Sequence, residues 1–191
     1  MPLFNHFDFI APVYDQVISP PDPERMRKLA GLPISGRLLD VGGGTGRISY
    51  ALREWVTGVV VADSSIGMLE QAKKKSGLCI VCANAEELSF PSESFERVIM
   101  VDALHHVRDY RATVEELWRL VRPGGRIIIE EPDIRSMSTK FMAVAEKIML
   151  MRSHFVSPTA MKELFQHANA RVHTENEGST CWIMIDKLRG G

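Results

Sequence analysis

The residues best suited to hold a ligand are the glycines of Asp40-Val41-Gly42-Gly43-Gly44-Thr45-Gly46. Glycine lets the backbone approach a bound group closely and adopts positive φ without strain. The pattern is G-x-G-x-G, and Arg47 stands where a dinucleotide fingerprint carries its last glycine. A pyrophosphate needs close approach across all three positions at a helix N-terminus. A ligand with no phosphate, carrying a sulfonium and an amino-acid tail, does not. A second acid, Asp63, lies about 20 residues further on, where a carboxylate can accept from both ribose hydroxyls. Ser64 and Ser65 follow, with no arginine to receive a ribose phosphate. Asp63 or Ser64 would also serve as N-cap of the helix expected over 66–75.

Further polar groups recur at the ends of apolar runs. Asn84-Ala85-Glu86 follows the run 78–83, and Asp102-Ala103-Leu104-His105-His106 follows the run 95–101. Glu130, Glu131 and Asp133 close Ile127-Ile128-Ile129, more acids than a core needs. Cys79 and Cys82 form a C-x-x-C, but along a strand residues three apart face opposite ways, and no second pair completes a zinc site. Both are expected as small buried side chains. Neighbouring histidines point about 100° apart on a helix, so His105-His106 is a poor chelate. No metal site is expected.

The elements that must position these groups alternate. Leu38, Leu39 and Val41 make a strand, the glycines a turn, and Thr45 to Trp55 a helix with an apolar face at Ile48, Ala51, Leu52 and Trp55. Val59 to Asp63 reads as a fully buried parallel strand. Lys73 to Lys75 ends the next helix as a solvated, dipole-compensating turn. Strands over 78–83, 95–101 and 127–129, a helix over 111–122 and a terminal hairpin over 171–188 split at Glu177-Gly178-Ser179 complete the series. The sum is an α/β fold with a parallel sheet and helices on both faces. In such sheets ligands sit outside the carboxyl ends of the strands.

Two stretches stand apart. FNHFDFIAPVYDQVI over 4–18 is too apolar for a solvated tail. It fits a helix closing the core edge, a lid over the ligand, or both, and prolines at 20, 21 and 23 separate it from a helix over 24–32. Phe141, Met142, Val144, Ala145, Ile148, Met149, Leu150 and Met151 make a helix apolar over most of its circumference. Methionine moulds to irregular surfaces, so a pocket for an apolar substrate, core packing and a dimer face all suit it.

The chain has 191 residues, 45% of them hydrophobic and 25% charged, the profile of one ordinary globular domain. A net charge of −1 leaves no electrostatic footprint for nucleic acid or anionic membrane. No stretch is long enough to span a bilayer, and MPLFNHFDF lacks a signal peptide's basic start, so the cytoplasm is expected.

LLDVGGGTGR resembles the first motif of the class I S-adenosylmethionine-dependent methyltransferases. Residues 8 to 131 are similar in particular to the ubiquinone/menaquinone-biosynthesis-like group, which acts mostly on small molecules. The resemblance implies a Rossmann-like, doubly wound, seven-stranded sheet in the order 3-2-1-4-5-7-6, with strand seven antiparallel. It also implies one domain over 1–191, with a lid segment over 1–23 and a substrate-side insertion over 132–157. S-adenosylmethionine would then be held by Asp40, Gly42, Gly44 and Gly46 at the first strand, and by Asp63, Ser64 and Met68 at the second. Asn84, Ala85 and Glu86 would meet the adenine, with Asn84 where the family usually has aspartate, and Asp102 would close the site. Tyr14 and His106 would form a lid latch and acid–base pair. His105, Glu131 and Met142 would contact a small, apolar methyl acceptor. The rivals are a silent cofactor-binding module, an NAD oxidoreductase, which the missing third glycine disfavours, and a protein or RNA methyltransferase.

Overall fold

The computed structural model describes residues 6–18, 22–132, 163–165 and 167–190. The apolar helix expected around Phe141 to Met151, with Met142, lies outside the described residues.

One mixed sheet organises the chain. Its strands are β1 (Arg37–Val41), β2 (Gly58–Asp63), β3 (Leu78–Cys82), β4 (Phe95–Val101), β5 (Val121–Pro132), β6 (Ala170–Glu177) and β7 (Thr180–Lys187). The order is β3-β2-β1-β4-β5-β7-β6. Strands β1 to β5 pair in parallel, and β7 runs antiparallel to both β5 and β6. The expected seven-stranded order is therefore found, and the polar break at Gly178 turns the hairpin.

Helices cover both faces. They are α1 (His6–Val17), α2 (Pro23–Leu29), α3 (Arg47–Leu52), α4 (Ile66–Ala72) and α5 (Tyr110–Leu120). One apolar cluster packs Leu39, Val98, Ile127, Ile129 and Ile183 against α5 through Val114 and Leu117. The other packs Leu38, Ile99 and Ile128 against α2 and α3 through Met26, Ile48 and Leu52. Alternate residues of each central strand go to opposite clusters, and burying both sides gives the strands their continuous apolar runs.

Three local expectations change. Cys79 and Cys82 are exposed, not buried, because β3 is an edge strand of the sheet. The strand expected over 127–129 begins earlier, at Val121, with a register shift between the pairs Phe95–Val121 and Arg97–Arg126. The helix expected from Thr45 to Trp55 begins two residues later and finishes as a 3₁₀ turn, Arg53–Trp55, because Gly46 takes the N-cap with φ +73°.

Candidate functional site

The carboxyl ends of β1, β2, β3, β4 and β5 bring the polar groups together. At β1, the Asp40 side chain is buried, and its Oδ2 accepts from the Ser49 hydroxyl at 2.7 Å. Its Oδ1 has no partner among the described residues. Burial pushes the carboxyl up to about 7; the Ser49 hydrogen bond opposes this and the nearby Asp63 charge adds to it.

The glycine turn reaches across to β2. Gly44 N–H donates to Asp63 Oδ2 at 2.8 Å. Gly44 has φ +55°, and a Cβ there would find only Met68 Sδ, at 4.0 Å. The backbone at Gly44 thus lines an opening that a side chain would fill. Asp63 Oδ1 accepts from Ser65 N–H at 2.8 Å. Burial raises the Asp63 carboxyl, and the backbone N–H groups of Ser65, Gly44 and Ser64 hold it back. The cap of α4 is Ser65, whose hydroxyl accepts from Met68 N–H at 3.1 Å. Neither Asp63 nor Ser64 serves as the cap.

At β3, Ala83 N–H donates to the Asp63 carbonyl at 3.0 Å, and Asn84 bridges to Glu87 across a tight turn. The Glu86 carboxylate accepts from Arg108 N–H at 2.8 Å, tying this turn to the one after β4. That second turn starts at Asp102, whose φ of +50° is uncommon for any residue but glycine. Backbone strain of this kind concentrates where a ligand is clamped. Glu131 on β5 holds the turn in shape. Its Oε1 accepts from Ala103 and Leu104 N–H at 3.1 and 2.8 Å, and its Oε2 lies 2.6 Å from His105 Nδ1. His105 and Glu131 are both buried, so the structure brings together two residues expected at an acceptor. The His105 and His106 ring centroids also lie 3.9 Å apart, with the ring planes tilted by 50°.

Sequence reasoning did not single out Glu130. Its side chain is buried on the opposite face of β5 and accepts from Trp182 Nε1 at 2.8 Å. Burial pushes this carboxyl up to about 7, against the Trp182 hydrogen bond and with the help of the Asp102 charge. The excess of acids after Ile129 was the only signal for it.

Helix α1 lies across these strand ends. Phe7, Asp8, Ala11, Tyr14 and Asp15 of this helix are all engaged. Phe7 meets the His106 ring edge-on at 5.1 Å. Asp8 accepts from the Ser65 hydroxyl at 2.6 Å and from Gly67 N–H at 2.9 Å. Ala11 is buried. Tyr14 lies under the Arg47 guanidinium at 4.8 Å. Asp15 accepts from the Thr45 hydroxyl and pairs with Lys75 Nζ at 2.9 Å and Arg47 at 3.5 Å. Lys75, expected to be solvated, is thus a tie between α4 and α1, and it also donates to the Thr45 carbonyl at 2.9 Å. Burial raises the Tyr14 phenol; Arg47 lowers it, while Asp102 and Asp63 raise it further. Tyr14 therefore sits within the field of both acids and stays protonated near neutral pH.

Comparison with known proteins agrees with this arrangement. Residues 39–129 match the family described as methyltransferase domain. A demethylmenaquinone methyltransferase of Clavibacter sepedonicus is 33% identical over 155 residues, covering 78% of this chain and 61% of that protein. The ubiquinone/menaquinone biosynthesis C-methyltransferase UbiE of Pectobacterium carotovorum is 27% identical, covering 78% and 64%. The chain thus spans about three fifths of the length of these relatives. A solved S-adenosylmethionine-dependent methyltransferase of Thermotoga maritima shares the fold, with a TM-score of 0.72 at 22% identity, covering 95% of this chain and 98% of that one.

Proposed function

We propose that the protein is a class I S-adenosylmethionine-dependent methyltransferase that transfers a methyl group to a nucleophilic atom of a small molecule, a reading supported by the match of residues 39–129 to the methyltransferase domain family. The strand ends suit the cofactor. It is cationic at the sulfonium and at the α-ammonium, and the groups gathered there are the carboxyls of Asp40, Asp63, Asp102 and Glu130. The unpartnered Asp40 Oδ1 is an acceptor in want of a donor, and Gly44 leaves room where a side chain would stand. The hydrogen bond from Gly44 N–H to Asp63, beside that opening, is the observation that carries this reading. Asp63 would hold the ribose hydroxyls, Asp40 and the glycine turn the methionine portion, Asn84 with the Ala85 and Glu86 backbone the adenine, and Met68 its apolar edge. Ser64 and Asp102 would complete the pocket.

The bound sulfonium supplies an electrophilic methyl group. The protein's own task is to hold the acceptor in line, exclude water and remove a proton from the acceptor, and positioning of that kind can give most of the rate. Helix α1 excludes water from above. Tyr14, a protonated phenol, can donate a hydrogen bond and not serve as a base. That leaves proton removal to His106, a role typically worth 10²–10⁴ in rate. His105 and Glu131 act behind it by fixing the turn that carries it.

The acceptor is a small molecule, and demethylmenaquinone, named for the relative, is the first compound to try. Transfer of a labelled methyl group from S-adenosylmethionine to a reduced naphthoquinone tests this. Label in the quinone supports the reading. Cofactor binding without transfer to any quinone, phenol or amine would favour a silent binding module instead.

A further inference from the structure

The sheet ends on β6, and among the described residues no strand pairs with its outer side. β6 runs eight residues without proline and pairs with β7 at every position, with no bulge. The other edge, β3, has only five residues. Natural edges are kept from pairing by shortness, proline or a bulge, and β6 has none of these. From Arg171 to Glu177 it is exposed, apart from a partly buried Val172.

The hairpin decides which backbone groups point outward. Its two-residue loop, Gly178-Ser179, closes on the pair Glu177–Thr180. Such a loop closes on a pair that exchanges both hydrogen bonds, and bonded and unbonded pairs then alternate. Arg171, His173, Glu175 and Glu177 therefore bond toward β7. The N–H and C=O groups of Val172, Thr174 and Asn176 face outward, with Thr174 in the middle.

Side chains follow the same alternation. Val172 packs toward the cluster beneath α5, so Arg171, His173, Glu175 and Glu177 lie on the other face, beside α2. There Glu175 accepts from Arg25 at 2.5 Å. Glu177 lies 3.9 Å from the same guanidinium, and its side chain stays 74% exposed. Along this face the order is base, imidazole, acid, acid, which is its own complement when reversed. A second copy laid antiparallel, Thr174 against Thr174, sets Arg171 opposite Glu177 and His173 opposite Glu175, each twice. Pairs of this kind attract across adjacent strands. Val172 then stands opposite Asn176, so outward backbone groups meet outward groups throughout. Centring on Glu175 instead would set that acid against itself, and centring on His173 would carry Glu177 past the end of the other strand.

We propose that β6 is a homodimer edge, where two chains join their sheets antiparallel about Thr174 with Arg171 of each on Glu177 of the other. The surface is self-complementary, as a two-fold interface must be. Because the paired strands run in opposite directions, the two crevices lie at opposite ends of the joined sheet.

Sedimentation velocity over a concentration series tests this on the parent, Arg171→Glu and Glu177→Arg. The parent should show a reversible monomer–dimer equilibrium. Each variant sets like charges opposite one another twice per dimer, and should weaken the dimer about tenfold or more. Circular dichroism should be unchanged in both, because the altered side chains are exposed. An equimolar mixture of the two variants should dimerise again, since each acid then meets an arginine. A parent that stays monomeric up to its solubility limit overturns the proposal. So does a dimer that either folded variant leaves unchanged, which would put the contact elsewhere on the molecule. A mixture that stays monomeric overturns the register. If Glu177→Arg does not fold, Arg171→Glu decides alone.

Discussion

Asp63 and Asp40 are both buried carboxyls at neighbouring strand ends, yet they are held differently. Asp63 is surrounded by backbone donors, while Asp40 has one hydroxyl and one unpartnered oxygen. Asp63→Ala should weaken S-adenosylhomocysteine binding by roughly 1.5–3 kcal/mol, the range for hydrogen bonds to a charged group. An unchanged Kd by calorimetry would remove Asp63 from the site. Gly44→Val should abolish binding with the fold kept, as read by circular dichroism; retained binding would mean that the opening beside Gly44 holds no ligand.

For Asp40 the expectation concerns pH. Its carboxyl is raised from 3.8 to about 7, so the folded state holds the proton more tightly than the unfolded chain. That stabilisation is complete below the ordinary carboxylate range and is lost as pH rises through about 7. An Asp40→Asn chain has nothing to lose in this way. Its Tm advantage over the parent should widen by several degrees from pH 4 to pH 7 and then stay level, while its affinity for S-adenosylhomocysteine falls. A Tm difference that does not change with pH would contradict the burial argument. The glycines and Asp63 were legible because motif spacing carries them. The orphaned oxygen of Asp40 was not, because it depends on how the chain packs around it, nor was the Trp182–Glu130 bond, whose partners lie 52 residues apart.

At the scale of elements, strands were easier to read than the ties between them. Runs such as Val59-Val60-Val61 read as buried strands and Glu177-Gly178-Ser179 as a hairpin break, and both are found. Periodicity says nothing about which side of a sheet's edge faces water, so Cys79 and Cys82 came out exposed. Nor does it show that a terminal lysine meets an acid 60 residues away, as Lys75 meets Asp15. Asp15→Ala removes partners from Lys75 and Arg47, whose side chains are partly exposed, and from the buried Thr45 hydroxyl. It should speed limited proteolysis within residues 6–18 severalfold while changing global stability by less than about 1 kcal/mol, as exposed ion pairs do. Equal cleavage rates in variant and parent would mean that α1 is held by its apolar face alone.

The whole molecule is a parallel sheet closed by one antiparallel strand, with Asp40, Asp63 and Glu131 at the carboxyl ends of its parallel strands. The choice between a sulfonium nucleotide and a dinucleotide rests on glycine spacing. Among the described residues, no helix is long and apolar enough to cross a membrane. The measurement that bears most directly on the central claim is calorimetric titration of the intact chain with S-adenosylhomocysteine and, separately, with NAD. The account predicts saturable 1:1 binding of S-adenosylhomocysteine and no heat of binding from NAD. Micromolar binding of NAD with none of S-adenosylhomocysteine would contradict it.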